Sequence, residues 1–190
     1  MHFLLIPGFL LLPSDYCNIE TKIDKLVHNF EVVDIWPQTI DEIQRIGHPK
    51  TDTFKVWMKN VIKFVKTKIR DDTIIVAHSA GSMIAHDIAQ ECGCTFVGIG
   101  CIPTSKTQML ILGKDDKLVR DIQFDNKLDF TNPKVHIVKG GHFGCVTLNG
   151  MQRCLKMKNR LKSKITYKEE YLDVSQEIAN ILNRLGCLKI

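Results

Sequence analysis

The sequence predicts an α/β fold: three layers, in which a doubly wound, mostly parallel sheet carries helices on both faces. Two observations predict it. Short apolar runs of strand length alternate along the chain with segments of helical period. Those runs are continuous and β-branched rather than alternating with polar residues, which marks strands covered on both sides. The composition agrees, with 44% hydrophobic and 25% charged residues, and excludes a mostly disordered, collagen-like or coiled-coil chain. At 190 residues the chain is expected to form one domain over 1–190. A chain of this length buries about 70% of its unfolded surface and needs no metal or disulfide staple.

Phe3 to Ile6 is a short apolar run stopped by Pro7-Gly8, a first strand. Ile19, Ile23, Leu26, Val27 and Phe30 recur at helical spacing, and Val32 to Trp36 reads as a second strand closed by Pro37. Phe54, Trp57, Met58, Val61, Ile62, Val65 and Ile69 form the strongest amphipathic pattern, with Asp52 placed to cap it. Strands follow at Thr73 to Ala77, Phe96 to Ile99, Met109 to Leu112 and Val135 to Val138, with a helix from Gly81 to Gln90. Tyr171, Val174, Ile178, Ile181, Leu182 and Leu185 make a closing helix that Gly186 is expected to end.

The seven cysteines are too few for a disulfide scaffold, and their number is odd. Cys92, Cys94 and Cys101 lie close in sequence, but no second pair completes a zinc-ligand pattern, so no metal site is expected. The apolar start lacks a basic leader and a small-residue cleavage site, and no run reaches the length of a membrane span. A cytoplasmic location is the expectation.

Net charge is +5, yet residues 150–168 hold seven basic residues and no acid. The other 19 basic and 21 acidic residues leave the remainder at −2. This is a near-neutral chain with one basic segment. Met151, Cys154, Leu155 and Leu161 fall loosely at helical spacing within it, so it can be read as a solvated surface element or as a contact for an anionic membrane. Nucleic-acid binding is not expected, because no aromatic residue interleaves the run before Tyr167.

In a parallel sheet, sites form beyond the carboxyl ends of the strands. Four such turns carry signals. Ala77-His78-Ser79-Ala80-Gly81 follows a strand and precedes a helix, the context in which a sharp turn pushes a serine hydroxyl outward. A plain helix-capping serine is the other reading. A serine needs a base, and the base needs a carboxylate to orient it. Leu110-Ile111-Leu112-Gly113-Lys114-Asp115-Asp116 ends a strand with two acids, and Val138-Lys139-Gly140-Gly141-His142 ends the last strand with a histidine. Finally, Pro7-Gly8 allows the chain to turn so that the amide of Phe9 faces the same pocket as that of Ala80, two donors for a developing oxyanion.

Together these motifs resemble the α/β-hydrolase superfamily, and among it the small serine hydrolases made of little more than the core sheet. The likeness covers residues 2 to about 145, and residues 146–168 match nothing in it. Ile6 to Phe9 is similar to the family's oxyanion loop, Thr73 to Gly81 to its nucleophile strand and elbow with Ala77 for the first glycine, and Gly140 to Phe143 to its histidine loop. The family's Gly-x-x-Asp spacing selects Asp116 over Asp115. The resemblance implies a triad of Ser79, Asp116 and His142, with Phe9 and Ala80 as oxyanion donors and no cofactor. It implies an enzyme that cleaves small-molecule carboxylic esters or thioesters through an acyl-enzyme. A non-catalytic binding scaffold and an acyltransferase are its rivals. Only 37 positions separate Ser79 from Asp116, too few for the cap of many relatives, so an open site is expected. The expectation is a core that begins at the oxyanion strand, without the extra strands of larger members. Phe9, Leu10, Leu11, Leu12 and Trp36 are the expected pocket wall.

Overall fold

The computed structural model describes residues 1–25, 28–117, 119, 134–161 and 170–187. Six strands, β1 (His2–Ile6), β2 (Asn29–Val32), β3 (Thr73–His78), β4 (Thr95–Ile99), β5 (Thr107–Gly113) and β6 (Lys134–Val138), form one sheet in the order β2-β1-β3-β4-β5-β6. All five pairings between them are parallel. The helices are α1 (Cys17–Glu20), α2 (Ile40–Ile46), α3 (Asp52–Lys66), α4 (Gly81–Cys92), α5 (Leu148–Arg160) and α6 (Ser175–Cys187).

The continuous apolar runs divide by alternation between two cores. Phe3 and Leu5 of β1, with Val76, Val97 and Ile111, meet Ile178 and Leu182 of α6 on one face. Leu4 and Ile6, with Ile75, Ala77 and Phe96, meet Val61, Val65, Ile84 and Ile88 of α3 and α4 on the other. The inner strands β1, β3 and β4 therefore bury both sides, which is why their runs contain almost no polar residue, whereas the edge strands β2 and β6 are largely exposed or half-buried. The sheet runs outward in one direction from β1 to β2 and in the other from β1 to β3, so the crevice between the carboxyl ends of β1 and β3 is the topological switch point.

Several boundaries differ from the sequence expectation. β2 starts at Asn29 and pairs His2 with Asn29 and Leu5 with Val32, so Phe30 is strand and not helix. Only Cys17–Glu20 of the expected helix forms, after a 3₁₀ turn at Pro13–Tyr16, and Leu26 and Val27 lie outside the described residues. Ile19, inside α1, and Ile23, in the turn that follows it, do face the core, and the Ile23 N–H still bonds the Ile19 carbonyl at 3.2 Å. The hydroxyl of Thr51, not Asp52, caps α3 by accepting the Phe54 N–H. Gly186 lies inside α6 and does not end it, and Tyr171 precedes that helix and donates its hydroxyl to the Val146 carbonyl.

Candidate active site

The structure brings together the three side chains that lie farthest apart in the sequence argument. Ser79 follows β3, Asp116 follows β5 and His142 follows β6. The Nε2 of His142 is 2.8 Å from the Ser79 hydroxyl, and its Nδ1 is 2.9 Å from Oδ2 of Asp116. A carboxylate only accepts, so Nδ1–H donates to Asp116, and the neutral ring presents Nε2 as the acceptor for the Ser79 O–H. Asp116 and His142 are nearly inaccessible. Asp115 is exposed and contacts neither. Gly100 floors the pair: a Cβ there would stand 3.1 Å from Oδ2 of Asp116 and 3.3 Å from Nδ1 of His142, on a backbone at φ +52°.

Ser79 itself has φ +51°, one of two non-glycine residues in the left-handed region among the described residues. That is the strained turn which lifts a side chain off the end of a strand, and the start of α4 immediately after it points the positive end of the helix toward the hydroxyl. The turn depends on Gly81. A Cβ at this position would lie 2.4 Å from the Ile6 carbonyl oxygen and 2.7 Å from that of Pro7, so the elbow and the β1 loop touch backbone to backbone. Gly81→Ala is expected to lower unfolding stability by about 1–3 kcal/mol in urea titrations and to lower activity with it. An unchanged urea midpoint would show that the two backbones are not held at this distance.

After β1 the chain turns, closed by the Leu11 N–H to the Gly8 carbonyl at 3.0 Å, with Leu10 at φ +66° in its third position. This geometry corrects the expected wall. Leu10, 2% exposed, packs in the core with Leu11 and does not line the cavity beside Ser79. Phe9 faces the other way, edge-on to Trp36 at 5.2 Å between ring centres. Phe9, Trp36, Phe54, Trp57 and Met83 line an apolar cavity of about 350 Å³ that ends at Ser79 and Ala80. A second, of about 290 Å³, also reaches Ser79, Ala80 and Met83 and is bounded by Cys101 and Ile102. A larger hollow of about 470 Å³ between Trp36 and Arg45 reaches none of Ser79, Asp116 and His142. Most of the wall of the cavity of about 350 Å³ comes from residues 36–57, including α2, with Phe9 after β1, Met83 of α4, and Lys158 and Leu161 in and just after α5 completing it. Burial pushes the Cys101 thiol up to about 12, so no thiolate competes with Ser79 there.

The basic segment also differs from a simple solvated face. Arg153 of α5 donates to the Leu10 carbonyl at 3.0 Å and pairs with the buried Asp15, whose carboxylate also accepts the Leu12 N–H. The Cys154 thiol lies 3.5 Å from the Phe9 carbonyl. Met151, Leu155 and Leu161 are half-buried and pack against the core. Lys156 and Arg160 remain exposed, while Lys162, Lys164 and Lys168 lie outside the described residues.

One network escaped the sequence reading. His78 and Tyr16 are both fully buried. The Gly8 N–H donates to the Tyr16 oxygen at 2.9 Å, the Tyr16 hydroxyl stands 2.8 Å from Nδ1 of His78, and Nε2 of His78 stands 3.0 Å from the His142 carbonyl. The carbonyl can only accept, so the proton of His78 is on Nε2, and Nδ1 receives the Tyr16 O–H. Every donor in this chain has an acceptor. It ties the Gly8 turn, the elbow and the histidine loop to one another. Tyr16 carries no motif, and His78 reads as part of the serine motif, so a through-space link over 62 positions had no sequence signal.

Burial, reinforced by the nearby His142 ring, lowers the pKa of His78 to about 3. An unfolded histidine takes a proton near pH 6.5, whereas the folded one resists until about pH 3. Between these values unfolding absorbs a proton, so stability present above pH 6.5 is lost progressively as pH falls, by up to about 1.4 kcal/mol per pH unit for this group. Burial shifts His2 and His136 in the same direction. The test is therefore a difference: His78→Gln should reduce the slope of stability against pH below 6.5, measured by denaturant unfolding at several pH values. Parallel slopes would remove His78 from this account.

No protein-family model matches the sequence, and no curated protein matches it. Solved structures do resemble it. A CIB-like hydrolase from Thermoplasma acidophilum superposes with a TM-score of 0.59 at 12% identity over 98% of this chain and 86% of its own. An α/β-superfamily hydrolase from Xanthomonas campestris pv. campestris gives 0.55 at 13% identity over 85% and 97%. The thioesterase RedJ of the prodiginine pathway in Streptomyces coelicolor gives 0.53 at 9% identity over 84% and 89%. The expected three-layer parallel architecture is thus the one these proteins share, and the chain has the α/β-hydrolase fold.

Proposed function

We propose that this α/β-hydrolase fold houses a serine hydrolase that cleaves carboxylic esters or thioesters through an acyl-enzyme on Ser79. The observation that carries the reading is the unbroken chain from the Ser79 hydroxyl to Nε2 of His142 and from Nδ1 to Asp116.

In this reading Nε2 of His142 takes the Ser79 proton as Oγ bonds to the substrate carbonyl carbon. The carbonyl oxygen becomes an oxyanion facing the amides of Phe9 and Ala80, at the start of α4, each such donor being worth about 100- to 1,000-fold in rate. Asp116 holds the ring and supports its positive charge. The tetrahedral species then collapses: the bond to the leaving alcohol or thiol breaks, and that group receives the proton from His142. Water, deprotonated by the same nitrogen, adds to the acyl carbon, and the second collapse returns the proton to Ser79 and frees the acid. The His78 network supports this reading by fastening together the loops that bear the serine, the base and the Phe9 amide.

The apolar cavity of about 350 Å³ suits one arm of the ester, and a thioesterase among the fold neighbours makes thioesters worth testing beside oxyesters. A fluorophosphonate probe on the parent and on Ser79→Ala tests the assignment. Covalent labelling of the parent alone is the expected result, and an unlabelled parent would leave a binding scaffold. Product analysis with competing alcohols separates hydrolysis from acyl transfer. A series of model esters of increasing chain length then maps the cavity.

A further inference from the structure

The cavity of about 350 Å³ beside Ser79 and the hollow of about 470 Å³ outside it share a wall. Trp36, Pro37, Ile46 and Trp57 border both spaces. Three of the four are firmly held. Trp36 is 6% exposed and donates its indole N–H to the Pro7 carbonyl at 2.7 Å. Trp57 belongs to α3, with its ring centre 5.2 Å from that of Trp36, and Pro37 follows Trp36 with its own φ fixed by the ring. Ile46 differs. It is the last residue of α2, a helix of seven residues without one buried side chain, and the chain passes from it directly into Gly47 at φ +79°.

A wall of three anchored side chains and one on a lightly packed helix gives way first at the fourth. We infer that Ile46 sets the length of the acyl arm that the cavity accepts: it stops the chain inside the cavity, and a smaller residue there lets the chain run on into the hollow. At about 30 Å³ for a group the size of a water molecule, the cavity alone holds roughly ten carbons, so the substrate class is an ester or thioester of a medium-length aliphatic acid. Beyond the wall the hollow continues with apolar surface from Ile35 and meets solvent among the exposed Asp34, Glu42 and Arg45. A chain that passes the wall is therefore half-covered and gains less per methylene. Ile43 of the same helix supplies the control, because it borders the cavity but not the hollow. The inference rests on the serine-hydrolase reading for the reaction, whereas the wall acts on binding and is read without turnover.

Both tryptophans of the chain, Trp36 and Trp57, stand in the shared wall, so their fluorescence reports a chain that reaches it. In the Ser79→Ala protein, the methyl esters from butanoate to tetradecanoate are titrated below their solubility limits. Affinity is expected to rise about four-fold per methylene and to level off near about ten carbons. With Ile46→Ala added, the plateau should move at least about two carbons further, and methyl tetradecanoate should bind about ten-fold tighter than it does with Ile46 in place. Ile43→Ala widens the cavity without opening it and should move the plateau by at most about one carbon. Ile46→Phe should move the plateau the other way, to shorter chains, and serves alone if circular dichroism shows Ile46→Ala unfolded. A plateau that the Ile46 variants leave in place, one that Ile43→Ala moves as far, or a series with no plateau at all overturns the proposal. The p-nitrophenyl esters of the same acids, given to the proteins that retain Ser79, divide the two claims. Hydrolysis with a chain-length profile indifferent to Ile46 refutes only the wall. A binding plateau set by Ile46 without any hydrolysis refutes only the hydrolase.

Discussion

Ser79→Ala should reduce ester turnover to the uncatalysed background, a loss of up to about a million-fold in kcat if the triad acts as a unit. The substitution removes one oxygen, whose described partner is Nε2 of His142, and leaves the buried Asp116–His142 pair intact. The fold should survive. What alanine cannot do is relax the backbone, since φ +51° at position 79 is disfavoured for any residue with a Cβ. Ser79→Gly is therefore the companion variant: equally inactive, but at least as stable as Ser79→Ala by thermal unfolding. Two folded proteins without activity would place the loss in the hydroxyl rather than in the turn. Either variant turning over p-nitrophenyl butyrate at the parent rate would remove Ser79 as nucleophile.

The parts of this molecule that were legible in the sequence are those set by local chemistry. β1 and β3 to β5 showed themselves because a strand buried on both faces leaves an apolar run, and the exposed edge strand β6 showed itself through its β-branched residues and the Gly140-Gly141 pair that follows it, as Pro7-Gly8 follows β1. Ser79, Asp116 and His142 were legible because each stands just beyond such a strand. The second strand was displaced because β2 borders the sheet: its residues are exposed or half-buried, so the apolar weight lies downstream at Val33 and Trp36. Those two pack against the α3–α4 core, and Trp36 also walls the cavity. Phe54 and Trp57 were read only as part of an amphipathic face, and periodicity cannot tell a residue facing a core from one facing a cavity. The basic run shows the limit of charge counting. Seven positive charges describe a segment, not a direction, and long side chains allow Arg153 and Lys158 to turn inward while Lys156 and Arg160 stay in solvent.

Asp116→Asn should cost about 10,000-fold in kcat with little change in KM, although it changes neither size nor shape. The carboxylate has two fixed duties: Oδ1 accepts the Val119 N–H at 3.1 Å and Oδ2 accepts Nδ1–H of His142 at 2.9 Å. An asparagine must keep its carbonyl toward Val119, because the amide there can only donate, and so it turns its NH₂ group toward the histidine. Nδ1 can meet that group only as an acceptor. The ring then holds its proton on Nε2, the nitrogen that has to receive the proton of Ser79, and in the 1%-exposed pocket around position 116 no water is at hand to relieve the mismatch. Fluorophosphonate labelling should slow in parallel with turnover, since both need the activated hydroxyl. Asp115→Asn is the control. Its side chain is exposed, and its contribution to the histidine loop is the backbone N–H to the Gly140 carbonyl at 2.9 Å, which the substitution leaves in place. Loss of rate in Asp115→Asn comparable to that in Asp116→Asn, or a fully active Asp116→Asn protein, would mean that the imidazole is not oriented by the carboxylate to which it is bonded.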